Sequence, residues 1–220
     1  MIPFIQKFRD PVSGLTHLAG VLLSIAGFIL LETYAIRHGT PWHMVGFAVY
    51  GVSLILLYGA SSIYHLLPLS PRGSSVLRRI DHAMIFVLIA GTYTPICLIP
   101  LRGVWGWSLL GIIWGMAIAG IFQALFWIHA PRWFTTSLYL SMGWLVIIAF
   151  YPLVQSIPLG GIIWFVLGGL SYTGGAFIYG LKKPNPAPGI FGFHEIWHLF
   201  VMAGSFCHFW ALFTYVSTIA

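Results

Sequence analysis

The sequence predicts an all-α fold, a polytopic bundle of seven transmembrane helices. Three observations lead there. Of the 220 residues, 59% are hydrophobic and only 6% charged, whereas a soluble domain carries about a quarter charged residues. Mean hydropathy is +0.93. The apolar residues also fall into repeated runs of about the 20 residues a bilayer needs, separated by short polar punctuation.

The first span, 15–36, follows Asp10-Pro11 and is too long for the apolar region of a signal peptide, so no cleavable signal is expected. The loop "RHGTPWH" separates it from the second span, 44–67, and "PLSPRGSS" leads into the third, 80–100. "PLRG" precedes the fourth, 105–128, and "HAPR" the fifth, 133–153. "SIPLGG" opens the sixth, 158–179, where Ser171 and Gly175 form a small-xxx-small pair that permits close helix contact. The segment "KKPNPAPGIFG" leads into the seventh, 194–218. Pro and Gly end helices in these loops, and the short connections make sequential helices antiparallel neighbours. One membrane domain over residues 1–220 is expected, because the bilayer itself supplies the apolar surroundings.

Lys and Arg set the orientation. On the N-terminal side lie Lys7, Arg9, Arg72, Arg78, Arg79, Arg132, Lys182 and Lys183, and on the other side only Arg37 and Arg102. The N-terminus is therefore expected in the cytoplasm and the C-terminus outside. The formal net charge of +6 does not point to nucleic acid, since the basic residues sit in these loops. Arg72, Arg78 and Arg79 read as topology determinants, with anionic headgroups as a secondary contact. Cys97 and Cys207 lie within apolar runs, lack Cys-x-x-Cys spacing and read as small buried residues.

Ionisable groups inside spans are costly and mark functional sites. His65 closes the second span with Ser61 one turn earlier, Asp81 opens the third, and His194 opens the seventh with His198 one turn deeper. Three helices thus bring three histidines, a carboxylate and a hydroxyl to one layer at the inner membrane edge. His194 and His198 share a helix face at i and i+4 and can hold one ion, with His65 as third ligand. A single membrane histidine is more often a packed residue than a ligand. The i, i+4 pair, with His65 and Asp81 at the same depth, favours zinc, although imidazole also suits other first-row metals. In this reading Asp81 hydrogen-bonds the activated water or takes its proton, and Ser61 supports that water or Asp81.

The segment His194-Glu195-Ile196-Trp197-His198 is also literally H-E-x-x-H, the zinc-protease pattern with the Glu as base. Glu195 projects about 100° around the helix from His194, compatible with a base. Asp81 and Ser61, however, offer a separate water-handling pair, and the motif lies in the last span. The protease reading is therefore secondary.

At these residues the chain resembles the hemolysin III branch of the progestin and adipoQ receptor family. The resembling motifs are "DPVSGLTHLAG", "SSIYH", "DHAMIFVLIAGTYTP" and "GFHEIWHLFVMAGSFCHF", and the likeness runs essentially end to end. It implies a seven-helix fold with a cytoplasmic N-terminus, and zinc held by His65, His194 and His198, with Asp81 and Ser61 at the family's aspartate and serine. Receptor relatives can carry Gln where Glu195 stands, which argues against an essential base there. The receptor branch's first motif resembles Glu-x-x-Asn-x-x-Thr-His, where this chain has Asp10, Ser13, Thr16 and His17. Helix-entry capping and packing is the expectation for this segment, with a supporting role for His17 near the site as the alternative. The chain lacks the receptors' long N-terminal region, so a microbial plasma-membrane protein is expected rather than a hormone receptor. Similarity to a wider group including alkaline ceramidases implies a zinc-dependent hydrolase of a lipid amide or ester bond. A lipid or fluidity sensor with structural zinc is the alternative. Pore formation, implied by the family name, draws little support because no span shows a continuous polar stripe.

Overall fold

The protein is described by a computed structural model covering residues 8–127 and 129–219; Lys7, one of the orienting cations, lies outside the described residues. Among the described residues, seven helical segments are long and apolar enough to cross a membrane. They are α1 (Pro11–His38), α2 (Pro41–Leu66), α3 (Pro71–Leu98), α4 (Val104–Phe126), the composite α5 (Arg132–Trp144) with α6 (Phe150–Ser156), α7 (Leu159–Leu181), and α8 (Phe193–Ala211) with its final turn. No strand occurs among them. Neighbours in sequence pack against each other from α1 to α4, α7 packs on α8, and α8 returns to α1. The third span is the most buried and the Arg132–Ser156 span the least.

The packing inverts the pattern of a soluble helix. Along α1 the buried face runs Ser13, Gly14, His17, Gly20, Ser24 and Gly27 and ends in Leu31 and Ala35, while Leu22, Leu23, Ile29 and Ile36 are exposed. Lipid tails solvate Leu and Ile as well as a core would, so small residues face the neighbouring helix and allow close approach. A Cβ on Gly20 would lie 2.9 Å from the Tyr58 ring of α2, and one on Gly14 would lie 2.5 Å from Leu66. The Ser171–Gly175 stripe on α7 behaves the same way. Ser171 donates to the Phe200 carbonyl at 2.9 Å, and a Cβ on Gly175 would lie 2.7 Å from Phe200.

Two spans depart from the sequence expectation. The third helix begins at Pro71, not near residue 80. Ser70 caps it by accepting from the Gly73 amide at 3.3 Å, and Pro71 suits the first helical position. Hydropathy marks the apolar depth of a helix, not its full length, so the Arg-bearing first turns escaped it. Asp81 therefore sits about three turns into α3 and does not open it.

The fifth span is interrupted by a 3₁₀ segment, Leu145–Ala149. The Tyr93 hydroxyl inserts there, donating toward the Met142 and Gly143 carbonyls at 2.8 and 2.9 Å and accepting from the Val146 amide at 2.8 Å. Pro152, one turn on, has no N–H to continue the ladder. Cys97 and Cys207 are free thiols, the first buried.

Candidate metal centre

The starts of α1 and α8, the last turn of α2 and the first third of α3 meet at one end of the bundle. The Asp10 amide donates to the His65 carbonyl at 2.9 Å, tying the entry of α1 to the exit of α2. His65, His194 and His198 converge there, each offering a ring nitrogen, with these atoms all within 4.8 Å of one another. His65 and His198 are buried.

The His65–His194 pair has the spacing of two ligands on a tetrahedral ion. His65 Nε2 and His194 Nε2 are 3.2 Å apart; two imidazole nitrogens bound to one zinc at the tetrahedral angle would be separated by about 3.3 Å. Proton positions agree with this. His65 Nδ1 lies 3.1 Å from Asp10 Oδ2. Burial pushes the Asp10 carboxyl up, but hydrogen bonds from His65 and Arg9 outweigh it and hold the group below its ordinary value, hence ionised. A carboxylate only accepts, so Nδ1 of His65 carries the proton and Nε2 keeps its lone pair. His198 Nδ1 faces the Ser13 carbonyl at 3.3 Å, and the same reasoning frees its Nε2. His194 Nε2 faces the lone pair of His65 Nε2 at 3.2 Å, a contact that either a proton on His194 or a cation between the rings satisfies. Carboxylate and carbonyl partners of this kind orient metal-binding histidines generally.

Asp10 stands at the N-cap position of α1 but makes no capping hydrogen bond; its carboxylate is committed to His65 and to Arg9 Nε, the latter at 3.0 Å. The expected capping role is thus replaced by orientation of His65. Arg9 in turn donates to Ser74 of α3 at 2.6 Å. The capping carboxylate of this end is Glu195. Its Oε2 accepts from the Gly192 amide at 2.8 Å, and its Oε1 from the Ser13 hydroxyl at 2.7 Å. With one oxygen capping α8 and the other tying it to α1, Glu195 is poorly disposed to act as a protease base.

His17 is buried and stacks on His198, ring centroids 3.7 Å apart and planes within 8°. Parallel rings cannot aim lone pairs at one ion, so His17 supports the centre without joining its ligands. Both of its ring nitrogens are buried without a hydrogen-bond partner.

Asp81 and Ser61 are both buried. All five residues singled out from the sequence line one cavity of about 710 Å³, which extends past Ile89 and Leu140 to Trp144, Tyr172 and His208 deep in the bundle. The roles of Asp10 and Ser13 in orienting His65 and His198 were not read from the sequence. A carboxylate immediately before the Pro of a membrane-entry helix was the available signal, and local rules assign it to capping.

A helical membrane bundle with three convergent imidazoles at one end of an internal cavity is the class of protein defined by this geometry. The chain belongs to the family described as Haemolysin-III related, which matches residues 5–209. It is 40% identical over 207 residues to the hemolysin-3 homolog of Bacillus subtilis (strain 168), covering 94% of both chains. To hemolysin-3 of Bacillus cereus it is 40% identical over 216 residues, covering 98% of this chain and 94% of the relative. A more distant likeness, 25% over 212 residues, reaches the human monocyte to macrophage differentiation factor, with 91% and 82% covered.

Proposed function

We propose that this protein is a zinc-dependent hydrolase of a lipid amide or ester bond, embedded in a microbial plasma membrane with the metal centre at the cytoplasmic face. The observation that carries this reading is the joining of a three-histidine donor set to a buried Asp81–Ser61 pair in one lipid-sized cavity. The orientation rests on the excess of Lys and Arg at the end where the histidines lie.

His65, His194 and His198 would hold the ion through ring nitrogens, with Asp10 and the Ser13 carbonyl fixing two of the rings. Zinc so bound supplies Lewis acidity, polarising a carbonyl and making water acidic enough to attack near neutral pH. Asp81 accepts the proton of the attacking water and returns it to the leaving amine or alcohol; water and the acyl compound give a fatty acid and the free amine or alcohol. Ser61 holds the Asp81 carboxyl in place. His17 braces His198. The apolar stretch of the cavity takes the acyl chain, and its burial keeps bulk water from the reacting carbonyl.

Metal content and fatty-acid release from detergent-purified protein test this together. About one zinc per chain is expected, lost in His65→Ala, His194→Ala and His198→Ala. Asp81→Ala should keep its zinc while losing release of fatty acid; unchanged turnover in that variant removes Asp81 from the mechanism. Stoichiometric zinc with no release from any lipid class would favour the second reading, a lipid sensor whose metal is structural. Glu195, with both oxygens bound to structural donors, is consistent with either reading and opposes a protease.

A further inference from the structure

The cavity wall carries a second set of polar residues besides the three histidines, Asp81 and Ser61. Between α3, α4 and α5 its wall is formed by Arg78, Arg79, Gln123, Arg132, Thr135 and Thr136. Among the described residues none of these three arginines forms an ion pair; the carboxylate contacts are Arg9 and His65 with Asp10. Arg79 spends one nitrogen on the Leu125 carbonyl at 3.1 Å, yet its Nε is buried without a partner, as is the Gln123 side-chain oxygen. Arg132 lies 4.6 Å over the Tyr179 ring, and the charges of Arg78 and Arg132 both act on His82 and Tyr179.

Topology alone asks for cations near this membrane face, but not that three line one cavity, nor that a guanidinium N–H and an amide oxygen be buried unpaired. Such groups cost free energy until a ligand meets them. Guanidinium forks suit phosphate oxygens bidentately, and the hydroxyls of Thr135 and Thr136 add donors. The amide oxygen of Gln123 accepts, which suits a protonated phosphate oxygen or a glycerol hydroxyl. Arg78 and Arg132 are exposed at the rim and Arg79 is half-buried, so an anionic headgroup can reach all three, and a neutral one would gain nothing from their charge.

We propose that this vestibule binds a phosphate headgroup, so that the amphiphile taken by the cavity is an acyl phospholipid and not a neutral lipid. In such a molecule the ester carbonyl lies within a few bonds of the phosphate. Headgroup and scissile bond can then occupy the vestibule and the histidine centre together, with the chain running inward past Ile89 and Leu140. This assignment rests on the lipid reading of the cavity and names the class of lipid.

Ether-linked probes separate binding from turnover, since they contain no bond to hydrolyse. Equilibrium binding of 1-O-octadecyl glycerol 3-phosphate, 1-O-octadecyl glycerol and inorganic phosphate is measured on zinc-loaded protein in detergent. The phosphate-bearing ether is expected to bind at least about tenfold more tightly than the neutral one, the factor one charge-assisted contact supplies. Arg79→Gln and Arg132→Gln should each reduce that preference several-fold while leaving affinity for the neutral ether unchanged, which also shows that the variants are folded. Arg79→Lys should fall between, because it keeps the charge and loses the fork. Equal binding of the two ethers, or a preference that survives every arginine change, overturns the proposal. Inorganic phosphate binding as tightly as the phosphate ether overturns the lipid assignment in favour of a free-anion site. Headgroup binding without hydrolysis of any ester would remove the hydrolase reading alone, and hydrolysis with no phosphate preference would remove this one alone.

Discussion

Asp10→Ala isolates the most informative contact at the candidate metal centre. Its carboxylate lies 3.1 Å from His65 Nδ1 and fixes both the tautomer and the ring orientation that leave Nε2 available. Outer partners of metal-binding histidines are generally worth about 10- to 100-fold in metal affinity. The Asp10 side chain is 43% exposed and shares its Oδ2 with Arg9, so water and the guanidinium screen the pair and the lower end of that range applies, about tenfold. Alanine also frees Arg9 from the entry of α1, although its bond to Ser74 remains to hold it. The assay is zinc competition against a chelator of known affinity, at fixed pH and ionic strength, on wild type, Asp10→Ala, Asp10→Asn and His65→Ala. Asp10→Ala should weaken zinc about tenfold and Asp10→Asn less, because the amide oxygen still accepts from Nδ1. His65→Ala should weaken it far more. Unchanged zinc affinity in a folded Asp10→Ala protein would refute the reasoning, and with it the tautomer assigned to His65.

Chelation of purified protein should lower its thermal midpoint and zinc should restore it, free zinc at one hundred times the dissociation constant adding about 2.7 kcal/mol of stability; a midpoint indifferent to chelator in wild type would argue against bound metal. Gly20→Val should destabilise the α1–α2 contact by about 1–3 kcal/mol, because the new Cβ would meet a Tyr58 ring held in place by its hydrogen bond to Ser205 at 2.7 Å. Unfolding in detergent reads this out, and a tolerant variant would mean that the helices do not approach as closely as described. Tyr93→Phe leaves the Val146 amide without its acceptor, at a cost of about 1–3 kcal/mol, so amide exchange should quicken over 145–149 and remain slow in α2; unaltered exchange would place the cause of the interruption at Pro152 instead.

Much of this protein was legible in the chain because the bilayer imposes a simple rule. Every backbone polar group must be satisfied within a span, so apolar runs of membrane length become helices. The same constraint makes ionisable residues in those runs conspicuous, and depth together with the i, i+4 spacing singles out His65, Asp81, His194 and His198 from the chain alone. Boundaries were less legible. The start of α3 at Pro71 hid behind its arginines, since polarity reports where a helix leaves the hydrocarbon and not where it begins. The break at Leu145–Ala149 depended on a hydroxyl from another span.

What only the tertiary structure decided is which partner each polar group takes. Asp10 and Glu195 are both carboxylates at helix entries, and local rules give both the same capping role. Packing α1 against α2 and α8 sends Asp10 to His65 and leaves the capping to Glu195, which Ser13 also holds. The same packing lays His17 flat against His198, and the approach of α5 to α3 lines one cavity with Arg78, Arg79 and Arg132. Helix spacing and burial depth are written in a single segment, but a hydrogen bond between segments is fixed by the approach of two backbones. In this bundle that approach is set by glycines and serines, whose pattern marks a contact face without naming the helix it meets.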